Sequence, residues 1–65
     1  MAKLRLRELR EEKKLSQEAL AREMGVHQRT ISKYELGESE PDIATIEKLC
    51  KFFKVSAGYL LGFEE

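Results

Sequence analysis

The chain has 65 residues, 42% of them hydrophobic and 37% charged, and its twelve basic and twelve acidic side chains cancel. That length suits one domain with one small core, and such a mix of apolar and charged residues argues against disorder. One cysteine and one histidine leave no internal disulfide and no ordinary zinc site; no run approaches the roughly 20 apolar residues of a membrane span, and the start, MAKLRLREL, lacks the apolar centre of a signal peptide.

A first helix is expected over Lys3 to Lys13, with Leu6 and Leu9 as core contacts and Leu15 closing its end. Ser16 suits the N-cap of a second helix, although Ala19 stands where a full capping box would need Glu or Gln. Leu20 and Met24 lie four apart with the small Ala21 beside them, so this helix offers an apolar stripe that another helix can approach closely. Gly25 then ends it, because glycine tolerates the left-handed conformation of a sharp exit. Val26 follows as an apolar plug.

The third helix is expected from Gln28 to Glu35, with Ile31 and Tyr34 on its inner face. At roughly 100° per residue, Gln28, Arg29, Ser32 and Lys33 fan across the opposite side. These side chains can pair with base edges and phosphates. A polar face on an αα-hairpin is commonly only solvated, but here it accompanies a small residue, a turn glycine and buried apolar positions in register. Residues 17–36 therefore read as a helix-turn-helix whose second helix is shaped to enter DNA.

The segment Gly37 to Pro41 has turn composition, and a fourth helix begins at Pro41 or Asp42, with Ile43, Ile46, Leu49, Cys50 and Phe53 at helical spacing. Cys50 reads as a small apolar residue and not a nucleophile, since no thiolate motif accompanies it. Phe52 is expected to be partly exposed. Val55 ends the connection, Ser56 caps a last short helix weakened by Gly58, and Gly62 ends it. Leu60, Leu61 and Phe63 then read as core, although a domain this small has little room to bury all three. Charge runs along the chain: residues 1–14 carry six basic and three acidic groups (+3), residues 15–37 three of each (0), and residues 38–65 three basic and six acidic (−3). A neutral total can thus hide a basic face.

With Ala21, Gly25, Val26, Ile31 and Tyr34 in register, the sequence resembles the helix-turn-helix of the lambda-type phage repressors, Cro and XRE-type regulators. The resemblance extends from about Leu6 to Leu61, taking in LRELREEKKLSQ and GESEPDIATIEKLCKFFKVSAGYLL. It implies an all-α, compact five-helix lambda-repressor-like DNA-binding domain over residues 1–65, with the helix-turn-helix at helices two and three. It further implies base contacts from Gln28, Arg29, Ser32 and Lys33, and phosphate contacts from Gln17, His27, Thr30, Gly37 and Glu38. Arg10 and Glu35, which as sequence alone are two charges 25 residues apart, are implied to form a buried structural ion pair. Leu60, Leu61 and Phe63 become candidate dimer contacts.

Three departures from the family pattern carry consequences. Lys14 stands where glycine is frequent, so a left-handed turn there costs up to about 1 kcal/mol. His27 replaces the usual Ser or Thr cap of the recognition helix. Glu38 and Glu40 put acidic groups where basic ones are common, opposing phosphate contact.

The expected function is a sequence-specific, double-stranded-DNA-binding transcriptional regulator, a repressor that binds an inverted-repeat operator as a homodimer in the cytoplasm. No cofactor or metal is expected, and no catalysis, because one His and one Cys assemble no nucleophile, base and orienting acid. The alternative is an antitoxin or regulatory interaction module of the same fold that acts mainly through a partner protein; an effector is compatible with either reading.

Overall fold

The structure is a computed structural model that describes residues 4–64. Among the described residues five helices follow one another: α1 Leu6–Glu12, α2 Gln17–Met24, α3 Gln28–Leu36, α4 Ile43–Phe53 and α5 Ala57–Leu60. Helix α1 is shorter than its sequence pattern predicts, starting after Arg5 and ending before Lys13; Lys3 lies outside the described residues.

Local chemistry sets most of the helix starts. The hydroxyl of Ser16 accepts from the Ala19 amide, the carboxylate of Asp42 from Thr45, and the hydroxyl of Ser56 from Tyr59. Each satisfies an amide that the first helical turn leaves without a partner. Asp42, not Pro41, is therefore the cap of α4, and the bond from Thr45 holds its carboxyl below the usual carboxylate range. His27 has the extended backbone of a cap, but its side chain caps nothing.

All five helices close in the same manner. A left-handed residue follows each one, at Lys14, Gly25, Gly37, Lys54 and Gly62. The next amide then reaches back five residues, from Leu15 to Arg10, Val26 to Ala21, Glu38 to Lys33, Val55 to Cys50 and Phe63 to Gly58. This closure satisfies carbonyls that a helix end would otherwise orphan. Three sites use glycine, while Lys14 and Lys54 carry a Cβ in a conformation that disfavours it.

Every helix contributes one side chain with no exposed surface: Leu6, Leu20, Ile31, Leu49 and Leu60. Leu9, Ala21, Met24, Tyr34 and Phe53 complete the buried cluster, and Val26, Ile46, Cys50, Phe52, Val55 and Tyr59 pack against it half-buried. Burial of each large aliphatic group stabilises the fold by roughly 1.5–3 kcal/mol. Helices α2 and α3 pack directly on one another, and the small Ala21 of α2 is buried.

Two readings of the apolar pattern need correction. Ile43 shares helical spacing with Ile46, Leu49 and Phe53 yet is 76% exposed, because it opens the first turn of α4 beyond the reach of the core. Leu60, a candidate dimer contact, is fully buried and presents no side-chain surface to a partner, whereas Leu61 is half-buried and Phe63 is exposed. Arg5, just before α1, ties that helix to the segment around α5. Arg5 donates from its amide to the Leu60 carbonyl (2.9 Å) and from its guanidinium to the Glu64 carbonyl (2.6 Å), and it stacks 4.4 Å above the Tyr59 ring.

Candidate nucleic-acid interface

Helix α3 is held from behind. Ile31 and Tyr34 are buried against the other helices, so the opposite side is turned to solvent over its full length. Gln28, Arg29 and Lys33 are exposed on that side, and Ser32 is half-buried beside them. Together they form one polar, basic surface on a rigid helix. Leu36 extends α3 by one residue beyond its expected end and stands 58% exposed at the far end.

The phosphate-contact candidates divide. Gln17 begins α2 and Thr30 lies in the first turn of α3, both half-buried at the edge of this surface. His27 is exposed where α3 begins, next to a shallow hollow lined by His27, Gln28, Arg29 and Thr30. The imidazole caps no amide and the Thr30 amide turns back to the His27 carbonyl at 2.9 Å, so the amides of Gln28 and Arg29 are the donors that the first turn of α3 offers an anion, aided by the positive end of the helix dipole. At the other end of α3 the amides of Gly37 and Glu38 are already given to the carbonyls of Tyr34 (3.2 Å) and Lys33 (2.9 Å). They close the helix and are not free clamps for DNA, which corrects their expected role.

Beneath the surface Arg10 meets Glu35. Its Nε donates to Oε2 at 2.6 Å, its Nη2 to Oε1 at 3.2 Å, and its Nη1 to the Leu15 carbonyl at 2.8 Å. The two side chains are only 12% and 5% exposed. Such a two-pronged pair joins α1 to the end of α3 with directional bonds. The hydrogen bond to Glu35 raises the Arg10 pKa above its ordinary value against the opposing effect of burial, so the guanidinium remains charged.

One connection has no counterpart in the sequence reading. Gln17 donates through Nε2 to Oε1 of Glu35 at 3.0 Å and accepts through Oε1 from Nε2 of Gln28. Residues 10, 35, 17 and 28 thus form a continuous chain from the ion pair to the exposed surface. Spacings of 18 and 11 residues carry no periodic signal, and only the crossing of α2 and α3 brings these amides together.

Among the described residues no group of three or more His, Cys, Asp or Glu side chains could hold a metal, and no helix is long and apolar enough to cross a membrane. Cys50 is half-buried, and burial pushes its thiol pKa up, away from the reactive thiolate.

Comparison with known proteins agrees with this geometry. A helix-turn-helix family model matches residues 6–60. The chain is 39% identical over 61 residues to the cryptic phage CTXphi transcriptional repressor RstR of Vibrio cholerae, covering 94% of this chain and 55% of that protein. It is also 39% identical over 61 residues to the transcriptional activator BcrR of Enterococcus faecalis, covering 94% of this chain and 30% of that one. The chain therefore spans about half or less of the length of these two regulators. Among solved structures it is similar to the P22 c2 repressor in complex with a synthetic operator, with a TM-score of 0.85, 35% identity, and coverage of 92% of this chain and 91% of that one.

Proposed function

The chain belongs to the helix-turn-helix family, of the XRE and lambda-repressor-like kind, and from that premise we propose that it is a sequence-specific DNA-binding transcriptional repressor. The observation that carries this reading is the outer face of α3, where Gln28, Arg29 and Lys33 stand exposed on a helix whose inner face is locked into the core. In the major groove, Gln28 pairs with adenine and Arg29 with guanine, while Ser32 and Lys33 reach a base or a phosphate further along. Gln17, His27 and Thr30 flank that face and hold the DNA backbone. These contacts set register, and the base contacts choose sequence.

One such face covers only a short half-site, so two copies acting together supply the specificity. We place the contact between copies at Leu61 and Phe63, over an inverted-repeat operator with half-sites one helical turn apart. Repression follows by occlusion of a promoter. Relatives of this chain include both a named repressor and a named activator, and occlusion is the simpler of the two uses because it needs no contact beyond DNA. The reading as a partner-binding module draws on the exposed Leu36 and Ile43 and on the acidic, exposed Glu38 and Glu40.

A mobility-shift assay with single substitutions tests the proposal. Arg29→Ala should weaken binding at one base position by the equivalent of about 1–3 kcal/mol and relax selectivity there. Equal binding of all sequences by the folded wild-type domain would refute it and favour the partner module.

A further inference from the structure

A glutamine that reads a base has two faces to offer, and nothing in the side chain alone decides which is presented. Its amide carries an acceptor oxygen and a nitrogen with two donor hydrogens, and a half-turn exchanges them. On an exposed helix face both orientations are open, unless a neighbour makes one of them costly.

Here the neighbours do so in sequence. Glu35, held by two guanidinium bonds from Arg10, is an ionised carboxylate and can only accept. The end of the Gln17 amide that meets it must therefore be nitrogen, which donates to Oε1 of Glu35 at 3.0 Å. That choice turns the Gln17 oxygen outward, and an oxygen can only accept. Gln28 accordingly meets it with its own nitrogen. One hydrogen of Gln28 Nε2 is used in this bond; the other hydrogen and the Oε1 acceptor remain. One donor beside one acceptor is the complement of adenine in the major groove, which presents N7 as acceptor and N6 as donor.

We propose that Glu35 is a positioning residue for base selection, because its carboxylate fixes the direction of the Gln17 amide and, through it, the amide of Gln28. This inference rests on the proposed reading of DNA by α3. The buried ion pair thereby gains a second role besides joining α1 to α3: it sets the hydrogen-bond polarity of a side chain two bonds away, on the surface. Were the carboxylate replaced by an amide, position 35 could present either nitrogen or oxygen to Gln17, and the constraint would be lost at both glutamines.

The test uses the duplex that the wild-type domain selects from a random pool, together with variants carrying each of the four bases at every position. Wild type should prefer adenine at the position where Gln28→Ala loses its preference. Glu35→Gln should lower that preference about tenfold, while selectivity at positions that Gln28→Ala leaves unaffected stays within about twofold. In a Gln28→Ala background, Glu35→Gln should produce no further loss at that position.

Gln17→Met provides a second variant that cuts the chain but leaves the ion pair in place, so it covers the case in which Glu35→Gln does not fold. It should show the same local loss of adenine preference. Unchanged preference in Gln17→Met or in folded Glu35→Gln, with the loss confined to Gln28→Ala, would overturn the positioning role and leave DNA reading intact. No change of preference in Gln28→Ala, or no selected sequence at all, would overturn the reading by Gln28 and this proposal with it.

Discussion

Arg10→Met is the substitution with the largest expected effect on the fold. It removes three charge-assisted bonds, at 2.6 and 3.2 Å to Glu35 and 2.8 Å to the Leu15 carbonyl, while keeping a side chain of similar length. Glu35 is left as a carboxylate with 5% exposure. Gln17 still donates to it, but a neutral amide does not replace a guanidinium. Stranding a buried charge costs on the order of 3–5 kcal/mol. At about 0.05–0.15 kcal/mol per residue, a domain of this size holds only roughly 3–10 kcal/mol in total. Arg10→Met should therefore lower the thermal midpoint by roughly 12 °C or more, or abolish the transition, as followed by circular dichroism. The double variant Arg10→Met with Glu35→Gln should recover part of the loss, because no charge is then stranded. A change below about 0.5 kcal/mol in urea denaturation of Arg10→Met would refute the reasoning, since only a solvated pair loses so little.

Four other outcomes follow from the structure. Lys14→Gly and Lys54→Gly should each stabilise by up to about 1 kcal/mol in thermal melts and should add, because each removes the Cβ from a left-handed site at a different helix end. His27→Ser should stabilise by about 1 kcal/mol in chemical denaturation through the side-chain cap that α3 lacks. The Asp42 carboxyl has a folded pKa below its unfolded one, so its contribution to stability is present above the ordinary carboxylate range and is lost as pH falls through the folded value; Asp42→Asn should remove that part of the acid dependence in pH-dependent melts. Neutralising the acidic exit with Glu38→Gln and Glu40→Gln should raise DNA affinity several-fold at low salt and little at high salt, measured by fluorescence anisotropy.

The buried pattern was the most legible part of the sequence. Leu20, Ala21, Met24, Ile31 and Tyr34 occupy the positions their spacing assigns, and the turn at Gly25 is left-handed as expected. Periodicity reports which side of a helix is inward, so it works wherever a neighbour covers the whole helix. It failed at Ile43, where helical spacing continues past the end of the covering surface. Lys54 was missed for a different reason: it has the same conformation and back-reaching bond as Lys14, but the residue type gives no sign of either.

The candidate DNA-binding surface was legible as a face and not as a network. Gln28, Arg29 and Lys33 share the exposed side of α3, as helical geometry requires. The phosphate contacts at Gly37 and Glu38 were implied by the family resemblance, whereas the closure of α3 uses both amides. The bonds linking Glu35, Gln17 and Gln28 depend on two helices crossing, and residue identity alone does not specify how side chains meet there.

Selection of bound sequences from a random duplex pool tests the central claim most directly. The account predicts enrichment of one inverted repeat whose half-sites are centred about one helical turn apart, roughly 10 base pairs, with binding that weakens as salt rises. A folded domain that enriches no sequence from that pool would contradict it.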